Sequence, residues 1–189
     1  MKLKNLLSAK KSAVLNRWYE AILNTYPSDT SGFLKQQKNP FLNPVGCTIF
    51  QGIENLYNEI LTGSQKERVS QFLDNIIRIR AVQEFTPSQC ISFVYLLKKA
   101  VREEIKEELV EQHLYNELLE LELQIDDISL LAFDIYMKCR EKLYQIKANE
   151  LQSWTFRRLQ KADEIYKKEC VYEDIHNEII RFERKEVAK

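Results

Sequence analysis

The chain has 189 residues, with 28 Lys+Arg against 28 Asp+Glu and 44% apolar residues. It is long enough for one core, too apolar for a disordered chain, and without the net charge that gathers nucleic acid or anionic lipid. Four Gly and four Pro, with no Gly beyond Gly63 and no Pro beyond Pro87, exclude a turn-rich sheet fold and any glycine-rich phosphate loop.

An all-α fold follows, and its elements can be taken in chain order. Leu3, Leu7, Val14, Trp18 and Ile22 share one stripe of a first helix, which Tyr26-Pro27 stops. Residues 27–43 are irregular, with a short helical turn through Phe33 and Leu34. Asn43-Pro44 restarts the chain as N-cap and first helical residue, and Gly63 caps the other end of this second helix. A third helix over about 66–83 turns Val69, Phe72, Leu73, Ile76, Ile77 and Ile79 inward. Thr86-Pro87-Ser88-Gln89 is a capping box that opens a fourth helix, running to about residue 109. Nothing local compels a break after it, and a turn near Leu109–Gln112 is expected only because the domain must fold back. From Leu114 the apolar residues Leu118, Leu121, Ile125, Ile128, Ala132, Ile135 and Cys139 follow at gaps of three and four, which is coiled-coil spacing. The register slips around Leu143–Asn149. A helix from 113 to about 185 would be roughly 110 Å long, more than a small domain covers. The expected division is a helical domain over 1–147 and a helical extension over 148–189 that serves as the dimerisation segment. A break near Lys147–Asn149, with fold-back onto the bundle, is the competing outcome.

The chemistry-bearing residues are few. No apolar run approaches the ~20 residues of a membrane span, and the N-terminus does not read as a signal peptide. Cys47, Cys90, Cys139 and Cys170 include no paired spacing, so they read as reduced thiols of a cytoplasmic protein, with no metal site. Cys47 and Cys90 each lie in the first turn of a helix, where the dipole favours a thiolate, and are the candidate redox thiols. His113 and His176 are the two histidines, and neither is placed to hold a haem, so no cofactor is expected. Arg80 shares the stripe of Val69, Leu73 and Ile76, whereas Arg78 points away. A buried guanidinium needs a partner: Glu84, a backbone carbonyl of 27–43, or an anionic ligand or partner carboxylate bound in bidentate fashion. Trp18, Tyr26, Phe33 and Phe41 are either core or the walls of a pocket by the irregular segment. The candidate ligand-binding residues are therefore Arg80, Trp18, Phe33 and Phe41. No nucleophile with a neighbouring base is visible, and no enzyme is expected.

The runs Asn43-Pro44-Val45-Gly46 and Ile77 through Gln89, with Trp18, Phe33-Leu34-Lys35, Ala132-Phe133-Asp134-Ile135-Tyr136 and Cys139-Arg140-Glu141-Lys142, resemble the RsbRD N-terminal domain family over about residues 1–160. That family is the sensory end of certain stressosome proteins, co-antagonists of the kinase RsbT. The resemblance implies a non-haem, globin-like bundle, here in a stand-alone form without the STAS domain. It also implies a link to the anaerobic sulfur metabolism of sulfate reducers. The function expected is a cytoplasmic sensory or regulatory domain that acts by protein–protein contact, as a homodimer. The alternative is an accessory or assembly factor docking on a cytoplasmic or membrane redox complex.

Overall fold

In the computed structural model, residues 2–36, 41–63, 66–83, 85–111 and 113–186 are described, with side chains up to residue 167 except at 36. The described residues form helices and no strand: α1 (Lys2–Ala9), α2 (Lys11–Leu23), α3 (Ser28–Gln36), α4 (Pro44–Thr62), α5 (Lys66–Val82), α6 (Pro87–Glu104), α7 (Lys106–Glu111) and α8 (Tyr115–Glu186). The all-α expectation holds, and α8 runs through Lys147–Asn149 without a break. The chain comprises two compact units, Met1–Glu141 and Lys142–Lys189.

The first unit holds the core. The first predicted helix is two, because the backbone departs from helical geometry at Lys10 (φ −92°, ψ 11°). The cause is tertiary: Lys10 Nζ donates to the Glu104 carbonyl at 2.6 Å and pairs with Glu108 at 2.5 Å. The Asn43 side chain accepts from Gly46 N at 2.8 Å and its Nδ2 donates to the Leu34 carbonyl at 3.0 Å, so the cap of α4 also ties down α3. Gly63 closes α4 at φ 92°, a left-handed conformation that glycine adopts without strain. At Gly52 a Cβ would lie 2.8 Å from Ile76 Cγ1, so α4 and α5 approach closely only because that side chain is missing.

The capping box of α6 is formed: Thr86 N donates to Gln89 Oε1 at 2.9 Å and Gln89 N to Thr86 Oγ1 at 3.3 Å. α6 ends at Glu104 rather than near residue 109, since Ile105 leaves helical geometry (φ −112°, ψ 14°) and buries its side chain in the core. The chain then reverses. Lys98 pairs with Asp126 at 2.6 Å, and Arg102 Nε and Nη2 hold the two Glu122 oxygens at 2.5 and 2.7 Å, the ladder of an antiparallel α6–α8 pair. His113, at φ 53°, is the one non-glycine with positive φ among the described residues. Leu114, Leu118, Leu121, Ile125, Ile128, Ala132 and Ile135 are all buried. The row with coiled-coil spacing is therefore spent on the chain's own bundle.

Lys142–Lys189, the second unit, carries the rest of α8 up to Glu186. All side chains over 151–167 are exposed, among them Leu151, Trp154, Phe156, Leu159 and Ile165. Arg158 lies over the Trp154 ring, 4.0 Å from its centroid.

Candidate functional site

Arg80 lies in the last turn of α5 and is fully enclosed, 0% exposed. Arg78, two residues earlier, is exposed and pairs with Asp74 at 2.6 Å. The 100° step between helical residues thus places both as the sequence predicts. The partners of Arg80 differ from those the sequence offers. Its Nη2 donates to Thr25 Oγ1 at 3.0 Å and to the Gln89 carbonyl at 2.9 Å. These acceptors belong to the end of α2 and the start of α6, not to the 27–43 segment, and Glu84 lies outside the described residues. The guanidinium carbon sits 4.3 Å from the Phe85 ring centroid and 5.2 Å from that of Tyr26, and the two rings meet edge to face.

The atoms that find no partner cluster in kind. Arg80 Nε and Nη1, the Tyr26 hydroxyl and Gln83 Oε1 are the buried side-chain polar atoms without a hydrogen-bond acceptor or donor among the described residues. Burial pulls the Arg80 guanidinium below its ordinary range, with the Tyr26 phenol and Cys90 thiol acting the other way. Burial also raises the Tyr26 phenol and pushes the Cys90 thiol up to about 11, each opposed by Arg80. Both acids are therefore neutral near pH 7, while arginine keeps its proton. The core encloses a cation facing neutral groups.

The aromatic candidates separate. Trp18 is buried, and its Nε1 donates to the Phe93 carbonyl at 2.6 Å, which makes it the joint between α2 and α6. Phe33 and Phe41 are exposed, and neither is among the walls of the groove beside α3. That groove, of about 600 Å³, is formed instead by residues such as Tyr19, Leu23, Leu34, Lys35, Cys47 and Phe50. Tyr19 and Phe50 pack edge to face at 5.2 Å. Cys47 is half-buried in this groove, whereas Cys90 is sealed, so at Cys90 burial outweighs the helix N-terminus. His113 is exposed in the turn before α8, and the side chain of His176 lies outside the described residues.

A second apolar row runs along α8 beside the one with coiled-coil spacing. Leu119, Leu123, Leu130, Phe133 and Met137 are all exposed, at gaps of four, seven, three and four. At about 100° per residue they lie within roughly 80° of one another, and about 140° round the helix from the buried row. Among the described residues no helix is long and apolar enough to cross a membrane, and no group of three or more His, Cys, Asp or Glu could hold a metal ion.

The described residues thus form an all-α bundle with an enclosed charge and a long last helix that is apolar on two faces. The chain belongs to the family described as the RsbT co-antagonist protein rsbRD N-terminal domain, whose pattern it matches over residues 12–151. This is a family of sensory, regulatory domains of the stressosome type. No curated protein and no solved structure matches the chain, so the globin-like arrangement is implied by the resemblance alone.

Proposed function

We propose that this chain is a regulatory domain that signals by protein–protein contact, without catalysis or haem, and that its contact surface is the outer face of α8 in a homodimer. The observation that carries this reading is the exposed row from Leu119 to Met137, on a helix whose opposite face already fills the core. Five large apolar side chains aligned on one face exceed what a monomer ordinarily leaves in water. A two-fold partner presenting the same row would bury both copies and close the assembly. The proposed setting, cytoplasmic and tied to anaerobic sulfur or redox metabolism, is supported by the resemblance. The bundle around Arg80 is the proposed input side.

Sedimentation equilibrium tests the contact. The full chain is expected to be dimeric at tens of micromolar. Leu130→Glu combined with Phe133→Glu should make it monomeric with its helical circular dichroism intact, since both side chains are exposed. A full chain that is monomeric at that concentration overturns the reading.

A further inference from the structure

Among the described residues the charge at Arg80 has no counter-charge. No carboxylate among the described residues pairs with it, and the nearest acidic side chain on α5, Asp74, is engaged by Arg78. Phe85 and Tyr26 give the cation two ring edges or faces to lie against, which offsets part of its desolvation, but they do not neutralise it. A buried charge left uncompensated is costly, and arginine cannot escape by losing its proton. Among the described residues nothing supplies the missing negative charge.

The hydrogen-bond pattern limits what that is. A guanidinium has two fork edges, Nε with Nη2 and Nη1 with Nη2, and both run through Nη2. Here Nη2 has two acceptors, Thr25 Oγ1 and the Gln89 carbonyl, as many as it has protons. A carboxylate or phosphate clamped across a fork has no edge left. What remains among the described residues is Nη1 with both protons unclaimed, the lone Nε proton, and the enclosed hydroxyl of Tyr26, whose ring centroid lies 5.2 Å from the guanidinium carbon. Full enclosure also keeps out a partner protein's side chain.

We propose that the enclosed Arg80 guanidinium is a binding site for a compact monovalent anion, of the size of chloride, nitrite, nitrate or formate, which accepts from the Nη1 protons and the Tyr26 hydroxyl. Such an ion neutralises the core where the end of α2, the end of α5 and the start of α6 meet. Its occupancy therefore sets how firmly those three elements are joined. The inference rests on the reading of the bundle as the input side only for what the ion would signal; binding itself does not depend on the dimer.

The test is a thermal melt of the full chain at constant ionic strength, with sodium gluconate, too bulky to enter, replaced stepwise by sodium chloride, nitrite, nitrate or formate. The wild-type chain is expected to show a saturable rise in Tm with at least one of these ions, about 5–11 °C at a hundredfold excess over half-saturation. Arg80→Met should abolish the rise, Tyr26→Phe should shift half-saturation several-fold upward, and the surface control Arg78→Ala should leave it unchanged. If Arg80→Met does not fold, line broadening of the chloride nucleus by wild-type protein, reversed by nitrate and weaker with Tyr26→Phe, gives the same answer. The absence of a saturable response to any of the four ions, as a site filled by water alone would give, overturns the proposal, and so does an equal response in Arg80→Met. Sedimentation in the same buffers keeps the two readings apart: saturable binding by a monomer leaves this site standing and removes the contact surface.

Discussion

Arg80→Ala measures how the enclosed side chain is held, and its terms oppose one another. Truncation removes two charge-assisted hydrogen bonds, each about 1.5–3 kcal/mol, and two ring contacts of about 1 kcal/mol each. It also opens a cavity, for which large-to-small changes in cores cost about 2–5 kcal/mol. The acceptors are not orphaned, because Thr25 Oγ1 still donates to the Ile22 carbonyl and the Gln89 carbonyl still accepts from Ser92 Oγ. Against these losses stands the relief of an unpaired buried charge, several kcal/mol. The net expectation is a loss of about 2 kcal/mol for Arg80→Ala. Arg80→Met, which keeps the volume and removes the charge, should lie within about 1 kcal/mol of wild type. Arg78→Ala, losing only an exposed i,i+4 pair, should cost under about 0.5 kcal/mol. Urea melts in a gluconate buffer compare all three. Equal midpoints for Arg78→Ala and Arg80→Ala would refute the helical register on which the site rests.

Three further outcomes are expected. Gly52→Ala sets a helix-propensity gain of about 1 kcal/mol against overpacking on Ile76 of about 1–3 kcal/mol, so thermal melts should show a net loss that Ile76→Val partly recovers; a stabilised Gly52→Ala would mean that α4 and α5 are further apart. Hydrogen bonding to Arg102 holds the Glu122 carboxyl below its ordinary 4.5, so its contribution is complete above that value and is lost as pH falls through the lowered one. Glu122→Gln should therefore trail wild type by about 1 kcal/mol at pH 7, less than a fully buried pair because Arg102 is largely exposed, with the gap closing in acid; a gap that persists at pH 2 refutes it. Iodoacetamide at pH 8, read by peptide mass spectrometry, should label Cys47 well before Cys90, whose buried thiol is pushed up to about 11; equal rates would show that Cys90 is not sealed.

Much of the fold could be read from the chain because its punctuation is local. Asn43-Pro44, Gly63 and the Thr86–Gln89 box act within one helical turn, and each ends or begins a helix where the residues say it should. The burial of Arg80 was legible for the same reason, since 100° steps from Val69, Leu73 and Ile76 need no knowledge of the neighbours. Its partners were not, because Thr25 and Gln89 reach it through the packing of α2 and α6. The distortions at Lys10 and Ile105 are equally tertiary: one answers to Glu104 and Glu108, the other to a core side chain. One helical step also separates Trp18, which faces α6, from Tyr19, which walls the groove, and residue type alone does not choose between them. The outer row of α8 did have a signal, in the spacing of Leu119, Leu123, Leu130, Phe133 and Met137. Among charged neighbours, those leucines pass as a solvated surface.

The turn at His113 has a consequence for how the chain behaves when crowded with its own kind. No glycine or proline marks it, and the residues on either side are good helix formers, so the stretch from Pro87 to Ile135 has every local reason to run straight. The left-handed backbone at His113 is strained for a non-glycine residue, and what holds the reversal is the burial that begins at Leu114. Straightening such a hinge relaxes the backbone and costs only contacts that another molecule offers in identical form. Two chains that open here together can trade their last helices, each completing the other's core with Leu114, Ile125 and Ala132. The hinge is thus a route to domain exchange, and a His113→Gly chain, freed of the strain, would keep its own helix.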